Sequence, residues 1–468
     1  MMRAQIKTHG VFAVLLVGCI ICSFVQTALN VAIAPIMTAM NIPASDAQWL
    51  TSTYSLVMGI MVLATAYLIR RFPARPLFMV TMAVFMVGLA MSALAGNFSV
   101  LLLGRLLQAI GCGVLLSLTQ VIILTIYPKN KRGSIMGTFG LAVTAAPVLA
   151  PTLAGILIDQ YSWQMIFWIS LAFAILVLIG GLLLIRNVTV VEKQRFDLIS
   201  MLLCAAGLSG VLFGLGQFGK YSLIHERVWL PLLLGTAAIL GFVWRQLKLP
   251  KPFIDLQVFQ SRPFRLAVIF SMVLYGVLIA GSILIPIYSQ SLRGFSATVS
   301  GLITMPGSLV TALCSLLAGK LYDRIGIRKI AIGGSIFLFL GSAGLILLGA
   351  ETSPAQIISF FIIRQIGIGF LMMPIFTWGM SQLSYTHYAD GTSLISSLRT
   401  VAGAMGAAAF VSAMTAANSL IPAAGLYGGI QVAFVLMAML VLILLLMAVF
   451  SFGSRASDDR QKKCPDSP

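Results

Sequence analysis

Apolar residues run along this chain in stretches of about twenty, separated by short polar punctuation. A helix rises about 1.5 Å per residue, so roughly twenty such residues cross the ~30 Å hydrocarbon core of a bilayer. Fourteen stretches can be marked, near 11–35, 48–69, 76–95, 99–126, 133–157, 163–185, 198–216, 228–247, 266–290, 299–321, 328–349, 354–383, 392–417 and 427–452. No barrel-like alternation is present, and unpaired backbone groups are costly in lipid, so each stretch reads as a transmembrane helix. The first run has no small-residue cleavage site and reads as a retained span rather than a removed leader. Ser45-Asp46-Ala47-Gln48 predicts a capping box opening span 2, with Asp46 solvated. Ser353-Pro354-Ala355-Gln356 predicts another opening span 12, with proline at the first helical position.

Composition agrees. The 468 residues are 59% apolar and only 9% charged, against about 25% charged in soluble proteins, and the mean hydropathy is +1.03. The net charge of +18 would suggest nucleic acid in a soluble chain. Its distribution points elsewhere. Of 30 Lys and Arg, 24 fall on one side of the fourteen-span topology, and Lys220, Arg227 and Arg293 fall on the other; Arg105, Arg364 and Arg399 lie within spans. That asymmetry is the positive-inside pattern. It predicts a multi-pass protein of a cell membrane, bacterial cytoplasmic membrane included, with both termini cytoplasmic and no nucleic-acid partner. Five of the six cysteines lie in apolar spans and read as packing residues. His9, His225 and His387 lie in loops or tails, and neither a catalytic pair nor a metal cluster is evident. A phosphate-binding G-x-x-x-x-G-K-[ST] loop is also absent. The expectation is therefore a non-enzyme without cofactor or metal, and not an ATP-driven pump.

The charged turn between spans 10 and 11 is the most specific stretch. It reads Gly319-Lys320-Leu321-Tyr322-Asp323-Arg324-Ile325-Gly326-Ile327-Arg328-Lys329. Its two glycines predict a sharp reversal, with Asp323 set among basic residues. It resembles the loop motif G-x-L-x-D-R-x-G-x-R-K of the major facilitator superfamily at every fixed position. A degraded copy, Ala66–Arg75, follows span 2, with Arg70 in place of Asp323 and Pro73 in place of Gly326. Arg105 of span 4 corresponds to Arg364 of span 12, and both are followed by glycines (Gly111 and Gly113; Gly367 and Gly369). The repeat divides the chain into a six-helix bundle at 1–190 and a second at 261–453. An inserted helix pair with linkers occupies 191–260, and a polar cytoplasmic tail 454–468. The expected fold is all-α and polytopic, the major facilitator fold with two added helices.

Fourteen spans narrow the resemblance to the drug–proton antiporter branch. Thr27 and Asn30 fit its T-x-x-N pattern, and Trp49 and Tyr54 its W-x-x-x-x-Y pattern. Arg105, Gln108 and Gly111 fit R-x-x-Q-G-x-G, with Ala109 replacing the first glycine. Ser162–Phe167 resembles S-W-R-W-I-F, and Arg399, Gly403 and Gly406 fit span 13. The resemblance implies a monomeric secondary transporter. It would export amphipathic small molecules by alternating access, coupled to protons, with the site between the bundles near mid-membrane. A facilitator or flippase for a lipid-like or anionic metabolite is the alternative. The loop residues Gly319, Asp323, Arg324, Gly326, Arg328 and Lys329 would form a conformational latch.

Other residues bear on the pathway. Span 5 keeps Pro147 and Pro151 of the branch's antiporter motif, but three glycines have become alanine, leaving Gly155. The small residues at i, i+4 and i+8 form a stripe for close helix contact, either as a gating helix or as plain packing. Arg105 and Gln108 share a helix face. With Gln26 and Asn30 of span 1 they suggest a polar patch, for substrate or protons, or else a structural cluster. Arg364 and Arg399 lie nearer span ends, where snorkelling competes. Cavity candidates are Tyr54, Tyr275, Tyr288, Gln290, Arg364, Met372, Met373, Phe376 and Trp378. None of the twelve acids falls in the middle of a span, and Val25 stands where the branch has an Asp. The embedded charges are therefore arginines, whose sign favours an anionic, zwitterionic or neutral substrate over a dication.

Overall fold

The computed structural model describes residues 2–127, 129–185, 197–218, 221, 224–249, 255–349, 351–381, 383, 388–420 and 425–451. The apolar runs become helices. In chain order these are α1 (Met2–Met40), α2 (Ala44–Ala47), α3 (Trp49–Arg71), α4 (Ala74–Ala93), α5 (Phe98–Ile126), α6 (Lys129–Gln160) and α7 (Met165–Leu184). They continue with α8 (Leu198–Gln217), α9 (Glu226–Lys248), α10 (Arg262–Ile287), α11 (Ala297–Ile346), α12 (Pro354–Ser381), α13 (Tyr388–Leu420) and α14 (Gly425–Ser451). Among the described residues, thirteen helical segments are long and apolar enough to cross a membrane, and α6 adds the shorter apolar stretch Ala146–Gln160.

Local chemistry sets the helix ends. Asn97 accepts from the Val100 amide and Ser296 from the Val299 amide. The box at Ser353 forms in both directions: Gln356 N–H donates to Ser353 Oγ at 3.4 Å, and Ser353 N–H to Gln356 Oε1 at 3.2 Å. The box expected at Ser45 does not form. Pro43 precedes the first turn there, and Ser45 is buried without a partner for its hydroxyl. Gln48 turns across to α13 instead, its amide donating to the carbonyls of Ala407 (3.0 Å) and Ala408 (3.3 Å). Asp46 is half-buried rather than solvated.

The expected reversal occurs within α11, at Gly326, whose φ of 74° and ψ of 169° suit glycine. Gly319 stays helical with open space beside it, so one glycine makes the turn. Arg324, Arg328 and Lys329 are exposed beyond it. They share one end of the molecule with Arg71, Arg75 and Arg262; we call it the basic face.

One apolar core fills α1 and α3–α7, and a second fills α10–α14. A third, small cluster joins Leu56 and Ile60 of α3, Leu212 of α8, and Val401, Ala404 and Ala408 of α13. The inserted pair therefore packs outside the line where α3 and α13 meet. Ser412 of α13 donates to the Gly216 carbonyl at 3.2 Å, and a Cβ on Gly216 would strike the Trp49 ring. Within the pair, Gly210 and Gly235 bring α8 and α9 together backbone to backbone. At the basic face Asp197 caps α8 and accepts from Arg245 of α9, at 3.0 Å from Nη2 and 3.2 Å from Nε. Partial burial pushes the Asp197 carboxyl up. The bonds from Arg245 and Ser200 outweigh this and hold it below the usual carboxylate value.

Candidate functional site

The two bundles meet along helices that approach without large side chains between them. On α6, a Cβ at Gly155 would come within 2.5 Å of the Ala297 carbonyl oxygen. On α11, a Cβ at Gly301 would come within 2.5 Å of the Pro151 carbonyl oxygen. The stripe expected on span 5 is thus a contact surface against the opposite bundle. Thr152 donates to the Gly301 carbonyl at 3.4 Å. Asp159, at the end of α6, accepts from the first two amides of α11, Ala297 (3.1 Å) and Thr298 (2.8 Å). A carboxylate suits that position because the free N–H groups of a helix start carry partial positive charge.

A second seam joins α1 and the π-helical turn Tyr288–Leu292, where Gln290 donates to the Val31 carbonyl at 3.1 Å. The third joins α3 and α13, where Ser397 donates to the Gly59 carbonyl at 2.9 Å. Among the described residues, these inter-bundle hydrogen bonds lie at mid-membrane or toward the face opposite the basic loops.

The embedded arginines have separate settings. Arg105 is fully buried on α5, its guanidinium 4.0 Å over the Tyr54 ring. It donates to Gln108 Oε1 at 2.7 Å and to the Leu50 carbonyl at 3.4 Å. Gln108 passes the network on to the Gly88 carbonyl (3.0 Å) and Ser92 Oγ (2.8 Å). Tyr54 is completely buried, so it belongs to this network and not to a cavity wall. Among the described residues, no hydrogen bond joins Gln26 or Asn30 to Arg105. Asn30 is buried with its Oδ1 unpartnered, so the four-residue patch divides in two.

Arg364 is the equivalent in the second bundle. It does not snorkel and does not line a cavity; only 1% is exposed. It donates to the Val277 carbonyl at 2.5 Å and to Gln365 Oε1 at 3.1 Å. Gly281 and Gly341 make room for it, since a Cβ on either would overlap Arg364.

Tyr288 is likewise buried, its hydroxyl donating to the Gly349 carbonyl at 2.7 Å. Trp378 is buried, and Met373 is exposed. Tyr275 lines a pocket with Ser271, Leu274, Leu278, Met372 and Arg399. The side chains of Asp323, Arg70 and Asp390 lie outside the described residues.

Two related helix bundles, buried cations and a seam of small residues define a polytopic membrane transporter. The chain matches the Major Facilitator Superfamily over residues 15–407 and belongs to that family. It is 35% identical to the uncharacterized MFS-type transporter YcnB of Bacillus subtilis, covering 92% of this chain and 93% of that one. It is also 35% identical to the lincomycin resistance protein LmrB of Listeria monocytogenes, covering 95% and 97%. Among solved structures, the peptide transporter POT in complex with sulfate shares the fold, with a TM-score of 0.69 at 16% identity over 94% of both chains.

Proposed function

We propose that this protein is a secondary exporter of amphipathic small molecules, working by alternating access and driven by the proton gradient. One observation carries the reading. Hydrogen bonds join the two bundles at mid-membrane and at the face opposite the basic loops. With the basic face in the cytoplasm, as the positive-inside pattern favours, these bonds close the outer side of the boundary between the bundles. Such closure suits a switch in which one bundle rocks against the other. Similarity to a lincomycin resistance protein supports export of drug-like amphipaths. In this reading the protein acts as a monomer in a bacterial cell membrane, with both termini in the cytoplasm and lipid around it.

The absence of a mid-span carboxylate from the sequence favours a second reading, a facilitator or flippase for a lipid-like or anionic metabolite. Under either reading quaternary ammonium dications are poor substrates. Uptake of a radiolabelled amphipath into everted vesicles separates the two. Accumulation that collapses when the proton gradient is removed supports the exporter. Equilibration that ignores the gradient supports the facilitator.

A further inference from the structure

Of the three arginines within spans, two are held by the protein itself. Arg105 and Arg364 are buried and donate to backbone carbonyls and to a glutamine. Arg399 differs. It is only partly buried and donates no hydrogen bond among the described residues; like Nη2 of Arg105 and Nε of Arg364, its Nε is buried without an acceptor. Its guanidinium lies 5.6 Å from the centre of the Tyr275 ring. Gly403, one turn along α13, fixes that ring, because a Cβ there would come within 2.8 Å of it. Arg399 is roughly 16 Å along the helix axis from Tyr388, near mid-bilayer. Besides Tyr275, the pocket is lined by the hydroxyl-bearing Ser271 and by Leu274, Leu278 and Met372.

We propose that Arg399, Tyr275 and Ser271, set beside Leu274, Leu278 and Met372, form the subsite that receives the acidic group of the transported molecule. A partly buried cation without a counter-charge among the described residues can be completed by an anion, and a guanidinium pairs with a carboxylate through two parallel hydrogen bonds. None of the acidic side chains among the described residues provides that partner. The substrate class is then an amphipathic carboxylate or similar monoanion. This rests on the chain transporting amphipaths, but the test below does not require transport.

The full chain would be purified into nanodiscs and titrated at equilibrium with pyrenebutyrate and with pyrenebutanol, which share a skeleton and differ in charge. Wild type is expected to bind the carboxylate about tenfold more tightly than the alcohol. Arg399→Gln should bring the two within about twofold by weakening the carboxylate alone, and Arg399→Lys should keep part of the preference. Equal affinities in wild type, or an undiminished preference in Arg399→Gln, would overturn the subsite. If Arg399→Gln is not monodisperse, Ser271→Leu decides from the other wall. It should weaken both ligands, and unchanged binding would refute the site. Everted-vesicle uptake, measured separately, shows whether the exporter reading fails on its own.

Discussion

Gly88 and Gly341 show what it takes to place an arginine inside a helix bundle. A Cβ on Gly88 would meet the Gln108 amide nitrogen and the Gly104 carbonyl oxygen, each at 2.7 Å. Both are backbone atoms that cannot swing aside. Gly88→Ala should therefore part α4 from α5 and strain the Arg105–Gln108 network, lowering stability by about 1–3 kcal/mol. Gly333→Ala, where nothing lies within 4 Å, should be close to neutral. Thermal melts of the two variants in detergent check this. The sequence made Arg105 and Gln108 legible as a pair because three residues apart is a helix-face spacing. Leu50, Tyr54, Gly88 and Ser92 come from other helices, and no local spacing encodes their arrival. The same holds for Arg364, whose distance from the span end suggested snorkelling until Val277, 87 residues away, supplied an acceptor. For the charged loop, Asp323→Asn is expected to depress transport while leaving folded protein in place, and Arg70→Ala to matter less; uptake normalised to the amount of protein measures both.

Among elements, the inserted pair α8–α9 carries its own clasp. Asp197 sits below the ordinary carboxylate range because its bonds to Arg245 and Ser200 outweigh burial. A folded value below the unfolded one contributes stability above the unfolded pKa, about 3.9, and loses it as pH falls through the folded value. The clasp should thus hold from neutral pH down to about 4 and fail below. The stability difference between wild type and Asp197→Asn should stay level over the first range and shrink in the second, as melts across pH would show. Cysteines placed along 200–215, in a background without native cysteines, should resist a water-soluble thiol reagent, because α8 lies against α3, α13 and lipid. The existence of the pair was readable from apolar runs and from the repeat that skips it. Its seat was not, since Gly216 meets Trp49 and Ser412 only through tertiary packing. The Ser45 box failed for a related reason: Gln48 found carbonyls on a helix some 360 residues away in sequence, and a longer-range partner displaced a local cap.

For the whole molecule, the decisive surface is the seam of α6 on α11. Gly301→Val would push its branched side chain into Pro151 and Thr152, and Asp159→Leu would strip the acceptor from two amides of α11. Both should favour opening at the face opposite the basic loops. Spin labels at Tyr161 and Ser291 should report a longer distance distribution in each variant than in wild type. Unchanged distributions would mean that the seam does not gate that face. The two-bundle plan was visible in the repeated motifs of the sequence. The seam was visible only as a stripe of small residues, without the helix it would meet.

That stripe also determines how the joint can move. Interlocking knobs would have to leave their sockets and find their rotamers again at every cycle. Here Gly155 presents nearly flat backbone to Ala297 and Thr298, Gly301 does the same to Pro151 and Thr152, and Asp159 holds on through two amides that any carboxylate geometry can recapture. Such a joint behaves like two smooth plates under a light catch. Under alternating access it would part and close many times without wear on its fit, leaving the rate of each stroke to whatever sits between the bundles.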